Sequence, residues 1–199
     1  MEFMDVVKNR RTTRQFTSRP VEKEQIRRII QAGIHAPSFD HKRKWNFVVI
    51  TDPAAKEKAL ASIEALPCAF EEPKDPLQEM IRIAFPRQKT MFQEAPVLVL
   101  PVFRRVSAIQ KENMSRATMD VAEIWCVIEN MFLAAANEGL SCAMRIPWKD
   151  QPEKVLAAAG CPEGSQLPCM IGIGHPAPDA EYPTQVYPDL EQCIHWEKW

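Results

Sequence analysis

An α+β fold, a central sheet flanked by helices, is what this sequence predicts, and three observations carry the prediction. Apolar, β-branched runs and capped amphipathic stretches are interleaved along the chain, without the even rhythm of a doubly wound fold. No G-x-G-x-x-G or P-loop follows any of the apolar runs. Only 6 of the 199 residues are glycine, which disfavours a glycine-cradled nucleotide.

The elements follow in order. Phe3, Val6 and Val7 fall at helical spacing and predict a short helix ending at a group of arginines. "PVEKEQIRRIIQAGIHAPS" predicts a second helix with Ile26, Ile29, Ile30 and Ile34 as its buried stripe. Gly33 weakens its last turn, and Pro37 stops it by Ala36. "WNFVVIT", residues 45–51, lacks polar alternation after Asn46 and predicts a strand covered on both faces. Asp52 as N-cap and Pro53 at the first helical position begin a third helix. Prolines 67, 73, 76 and 86 predict irregular structure with one or two short helices over 66–94, a candidate substrate cover.

"APVLVLPVF" predicts a second buried strand. Residues 120–137 predict a long helix, apolar nearly all round, placed at the centre of a core or an interface, with Gly139 as its C-cap. "LSCAMRI" and "LPCMIGIG" predict two more strands. Between them "DQPEKVLAAAG" predicts a helix with Asp150 and Glu153 as a variant capping box and Gly160 at its end. Pro176, Pro178, Pro183 and Pro188 predict an extended tail before a short last segment, "LEQCIHWEKW". The whole chain, 1–199, reads as one domain with a real core.

Composition bounds the function. A net charge of −1 offers no global field for steering onto nucleic acid or an anionic membrane, so any anion chemistry is local. The 6 cysteines contain no C-x-x-C pair, and only Cys193 has a histidine, His195, close by. That argues against a metal site and a disulfide framework, and for buried free thiols in a reducing cytosol. The acidic residues of "MEFMDVVKNRR" and the lack of an apolar segment after it do not read as a signal peptide. The longest apolar stretch, 121–136, is broken by Glu123, Glu129 and Asn130, so no bilayer span is expected. A cytoplasmic protein without nucleic-acid or membrane partners is the expectation. No Ser-His-Asp or Cys-His arrangement supports covalent hydrolysis. Trp125, Met131 and Phe132 are spaced for helix packing, and "FEEPKD" reads as a solvated turn.

One stretch stands apart. "NRRTTRQF", residues 9–16, places Arg10, Arg11 and Arg14 around Thr12 and Thr13 where a helix gives way to a connection. A phosphate monoester suits such a group, because guanidinium forks make charge-assisted bidentate bonds and hydroxyls fill the remaining acceptor sites. Arginines at a helix C-terminus also favour the dipole while solvated. Taken alone, the residues favour the solvated helix end, because short basic clusters are common on surfaces.

The order of the pieces adds to this. A short helix, R-R-T-x-R-x-F, a charged helix, A-P-S, a six-residue loop, W-N-F and a strand run continuously from residue 1 to 51. This resembles the nitroreductase family of FMN-dependent oxidoreductases. "EAPVLVL", "DVAEIWCVIENMFLAAANEGLSC" and the closing "HWEKW" resemble the family's second strand, central helix and ending. The resemblance implies a nitroreductase-like α+β fold with a mixed, mostly antiparallel sheet, and an intertwined homodimer holding FMN at each end of its interface. Carried over by position, Arg10 and Thr12 match the phosphate-binding arginine and hydroxyl, with Arg11 beside them. Arg14 matches the cation near the flavin pyrimidine, where a positive charge stabilises the reduced ring. Ser38 and Phe39 align with the loop near the isoalloxazine, and Met144, Arg145 and Ile146 with the segment lying along the flavin. These last three equally fit a core strand with one exposed arginine.

Two places depart from the family pattern. The loop reads "SFDHKRKW", with His41 where asparagine is frequent and Arg43-Lys44 replacing Gln-Pro, so His41 is a cofactor candidate and the added charge favours an acidic substrate or a phosphorylated nicotinamide. The tail "YPTQVYPDLEQ" supplies none of the arginine or lysine that the family often brings to the phosphate. The resemblance implies an enzyme taking hydride from NADH or NADPH and reducing a small organic acceptor such as a nitroaromatic or quinone. No side chain is assigned as catalytic. The alternatives are a flavin-binding protein without turnover, prompted by the tail and loop, and a specialised branch such as a dehalogenase or flavin-consuming enzyme. The tail from 176, with Trp196 and Trp199, is expected to dock on the partner subunit.

Overall fold

Side-chain alternation along the strands sorts the core into two halves, one on each face of a sheet. The computed structural model describes residues 1–38, 41–68, 70–104 and 114–199, with 114–118 described by backbone alone. Its elements are α1 (Phe3–Asn9), α2 (Lys23–Ile34), β1 (Trp45–Ile50), α3 (Pro53–Ala59), α4 (Pro76–Ala84), α5 (Thr90–Glu94) and β2 (Val97–Arg104). There follow α6 (Met114–Asn137), β3 (Ser141–Arg145), α7 (Gln151–Ala158), β4 (Ser165–Gln166), β5 (Met170–Gly174) and α8 (Leu190–Cys193).

The strand order is β1-β2-β5-β3, with β4 paired to the end of β2. Every strand pairing is antiparallel. The parallel component expected of a mixed sheet is confined, among the described residues, to an isolated bridge between Thr12 and Cys142. Val97, Val99, Phe103, Cys142, Ile171 and Ile173 face α2 and α6. Leu98, Leu100, Val102, Ala143 and Met170 face the layer of α3, α5 and α7. Phe92, Leu98, Leu100 and Met170 are fully buried, and each such side chain contributes about 1.5–3 kcal/mol of transfer free energy.

The expected second buried strand is β2, buried over seven of its eight residues. β1 corrects an expectation: Asn46 and Val49 are exposed, because this strand lies at the sheet edge rather than between covered faces. α2 brings a second correction. Its buried line runs through Ile26, Ile29 and Gly33, while Ile34 is turned outward. A Cβ on Gly33 would stand 2.8 Å from Met131 Cγ and 3.1 Å from Val127 Cγ1, so this glycine sets the close crossing of α2 on α6. It is a packing position more than a weak last turn.

α6 buries Ile124, Val127, Ile128, Met131 and Phe132 while Ala122, Cys126 and Glu129 remain exposed. Gly139 ends it at φ +72°, and the Leu140 N–H reaches back to the Ala135 carbonyl at 2.8 Å. At α7 the expected capping box does not form: Asp150 makes no cap bond and instead pairs with Lys154 at 2.7 Å. The cysteines also differ from expectation. Cys142 and Cys169 are buried and Cys161 partly so, but Cys68, Cys126 and Cys193 are exposed thiols. No described helix is long and apolar enough to cross a membrane.

Candidate functional site

The C-terminus of α1 releases the chain toward the free edge of β3. The Thr13 N–H donates to the Cys142 carbonyl at 2.9 Å, so the segment after α1 continues the sheet by one short bridge. Beside this junction lies a shallow cleft lined by Arg10, Arg11 and Thr12 on one side. Phe132 and Ala136 of α6, with Leu140, Ser141, Cys142 and Met144 from the approach to β3 and the strand itself, complete it. A pair of guanidinium groups and a hydroxyl thus face an apolar wall.

Arg10 Nε stands 3.6 Å from Glu129 Oε1 on the exposed side of α6, its one partner among the described residues. Arg11 Nη2 donates to the Pro183 carbonyl at 2.8 Å, and its guanidinium lies 4.5 Å over the Tyr182 ring. Arg14 is partly buried and has no hydrogen-bond or ion-pair partner among the described residues. Loss of solvent holds its pKa below the usual arginine value. Cys142 is a spectator: burial pushes its thiol up to about 12, with Arg10 opposing the shift, so it stays protonated.

The structure therefore brings Arg10, Arg11, Thr12 and Met144 together in one cleft. Ser38 lies outside it, with its Oγ buried and without a hydrogen-bond partner among the described residues. His41 is exposed in a left-handed conformation at φ 53°, with Arg43, also left-handed, donating to its Nδ1 at 3.3 Å. Ile146 is exposed. Phe39 lies outside the described residues.

Arg145 corrects the reading of an exposed arginine on β3. Alternation turns it to the face opposite Met144, where it is 5% exposed. Its guanidinium donates to the Glu64 carbonyl at 2.7 Å, the Gln88 carbonyl at 3.5 Å and Gln151 Oε1 at 3.3 Å. The side chain serves the loops on that face and not the cleft. Sequence reasoning missed Glu129, Tyr182 and Pro183 as neighbours of the arginines. Tyr182 lies 171 positions from Arg11, and no local pattern joins them.

The geometry defines a class: an α+β protein whose sheet edge sets two guanidinium groups and a hydroxyl beside an apolar wall. The nitroreductase family model matches residues 7–175, most of the chain, and the protein belongs to the nitroreductase family of oxidoreductases. It is 28% identical over 197 residues to an iodotyrosine deiodinase of Nematostella vectensis, covering 97% of this chain and 74% of that one. It is 26% identical over 196 residues to an NADH dehydrogenase of Thermus thermophilus, covering 94% of this chain and 92% of the relative. A solved nitroreductase with bound FMN from Bacteroides fragilis shares the fold at a TM-score of 0.68 and 21% identity, covering 94% of this chain and 95% of that one.

Proposed function

We propose that this protein is an FMN-dependent oxidoreductase that accepts hydride from NADH or NADPH and passes it to a small organic acceptor such as a nitroaromatic or quinone. The observation that carries the proposal is the cleft joining Arg10 and Thr12 to Met144, with Arg14, which has no partner among the described residues, close behind in sequence. A partly buried cation and a buried hydroxyl at Ser38, each without a hydrogen-bond partner among the described residues, are groups that a ligand would complete. Both fit a flavin nucleotide.

In this reading Arg10 and Thr12 hold the phosphate, and Met144 lies against the flavin. Arg14 offers positive charge to the pyrimidine side of the ring, and Ser38 offers a hydroxyl to it. FMN, when bound, supplies the hydride chemistry. The chain's own contribution is orientation, electrostatics and exclusion of water. The segment 66–94, which contains α4 and α5, is the proposed cover.

Two apolar surfaces support a homodimer. Phe3 and Met4 on α1 are 68% and 58% exposed, and Tyr187, Leu190, Trp196 and Trp199 extend uncovered along the tail. A partner copy taking up this tail would bury both. Exposed thiols at Cys68, Cys126 and Cys193 suit a reducing compartment and support a cytoplasmic location.

The test is spectroscopic. Purified protein, or protein to which FMN is added, is expected to show a bound flavin spectrum that NADH or NADPH bleaches without air, and light scattering is expected to give a dimer. Protein that binds no flavin overturns the reading, and flavin that no nicotinamide reduces favours a binding protein without turnover. The likeness to relatives named iodotyrosine deiodinase favours one further reading, a reductive dehalogenase. Release of iodide from iodotyrosine by the reduced protein would select it.

A further inference from the structure

Neighbouring arginines in the cleft have different partners. Arg10 meets a carboxylate, whereas Arg11 is taken by the tail, stacked on Tyr182 and bonded to the Pro183 carbonyl. The Tyr182 hydroxyl is 3.1 Å from Oγ1 of Thr13, a side chain with no exposed surface. The tail is tied to the same segment on either side. Thr17 N–H donates to the His175 carbonyl at 3.0 Å, Ala177 N–H to the Gln15 carbonyl at 3.0 Å, and Glu181 N–H to Gln15 Oε1 at 2.8 Å. It then crosses to α4, where Thr184 N–H donates to Glu79 Oε2 at 3.0 Å and Arg82 pairs with Glu181 at 3.4 Å.

We propose that Arg11 and Tyr182 form a latch that fastens the tail across residues 11–17, so that Arg11 is a positioning residue for the cofactor cradle and not a ligand of the phosphate. To meet a phosphate, Arg11 would give up a stacked ring and a carbonyl acceptor together. Thr12 sits between Arg11 and Thr13, both latched to Tyr182, and its own backbone is bridged to Cys142. The latch therefore fixes the cradle from both sides. It also joins the cradle to α4, so the tail, the cradle and the proposed cover move as one unit. The tail carries no arginine or lysine at this point because its contribution is to occupy an arginine. The inference rests on the reading of the cleft as the FMN phosphate site.

Two readouts test it on the 199-residue chain freed of flavin: quenching of flavin fluorescence on titration with FMN or riboflavin, and amide exchange at Ala177, Glu181 and Thr184. Arg11→Lys, which keeps charge and loses the fork, and Tyr182→Ala are each expected to speed exchange about tenfold or more. Each should leave the preference for FMN over riboflavin within about threefold of wild type, and the double variant should exchange within about twofold of the faster single one. Arg10→Ala is expected to lose that preference with the tail still protected. Tyr182→Phe, which keeps the ring, removes only the hydroxyl and is expected to speed exchange about threefold. Arg11→Lys with unchanged exchange, or Arg11→Ala losing the FMN preference as Arg10→Ala does, overturns the latch. Wild-type protein that does not prefer FMN would instead refute the phosphate reading, while exchange still judges the latch.

Discussion

Arg145 and Arg14 are both drawn out of water, and in each the loss of solvent holds the guanidinium pKa below its ordinary value. They differ in what replaces the water. Arg145 finds two backbone carbonyls and the Gln151 amide oxygen on the α7 side of the sheet. Arg14, in the segment after α1, finds no acceptor among the described residues. A desolvated cation with its acceptors supplied is architecture. In the proposed reading, the same cation without them is where the flavin ring supplies the missing acceptor.

The largest contrast is expected in stability. Arg145→Ala strands the carbonyls of Glu64 and Gln88, at a cost of about 3 kcal/mol. In a chain of this size, that lowers the melting temperature by about 6–10 °C. Calorimetry checks this, and a loss of similar size from Arg14→Ala would break the comparison. Lys56 sharpens it next. This buried lysine donates to the Ala95 carbonyl at 2.6 Å and the Gln93 carbonyl at 3.2 Å, fastening α3 to the end of α5. Lys56→Met keeps the volume and orphans both acceptors, so denaturant unfolding is expected to show about 2 kcal/mol lost, with flavin affinity unchanged.

Arg14→Ala should do the reverse. Stability is expected to stay within about 0.5 kcal/mol, while affinity falls about tenfold, or about 1.4 kcal/mol, for FMN and riboflavin alike, because the contact is to the ring. A loss seen with FMN alone would move Arg14 to the phosphate. The smallest effect belongs to Arg28, a surface arginine bonded to Glu138 at 2.6 and 2.7 Å. The bonds from Arg28 hold the Glu138 carboxyl below its ordinary value. Its contribution is therefore present above the unfolded glutamate value, about pH 4.3, and is lost as pH falls through the lower folded value. Glu138→Gln should be slightly less stable than wild type at neutral pH, with the gap closing as acid protonates the folded carboxyl. A gap that persists in acid would assign the effect to packing.

Much of the architecture was legible because its causes are local. Asp52 caps α3 by accepting from the Ala55 N–H at 2.7 Å, Gly139 ends α6, and the run 97–103 is buried on both faces, all as the residue types require. Part of the candidate cleft was legible for the same reason. Arg10, Thr12 and their neighbours stand beside a helix end, and their spacing alone places them together. The errors share a different cause. Ile34, β1 and Arg145 follow from their sequence neighbours a reading that the fold does not keep: their roles are set by the packing of α2 on α6, by the sheet edge and by two loops that arrive from elsewhere.

The chain order of residues thus determined, without further help, which segments coil, which extend, where they stop, and that one short stretch concentrates positive charge. Periodicity and capping act over a few residues, so they survive in the linear code. Which arginine each partner claims was decided only when the tail folded back over residues 11–17 and β3 turned one of its side chains to each face. Those choices depend on groups more than a hundred positions apart meeting within 3 or 4 Å, and no property of either group alone encodes that meeting.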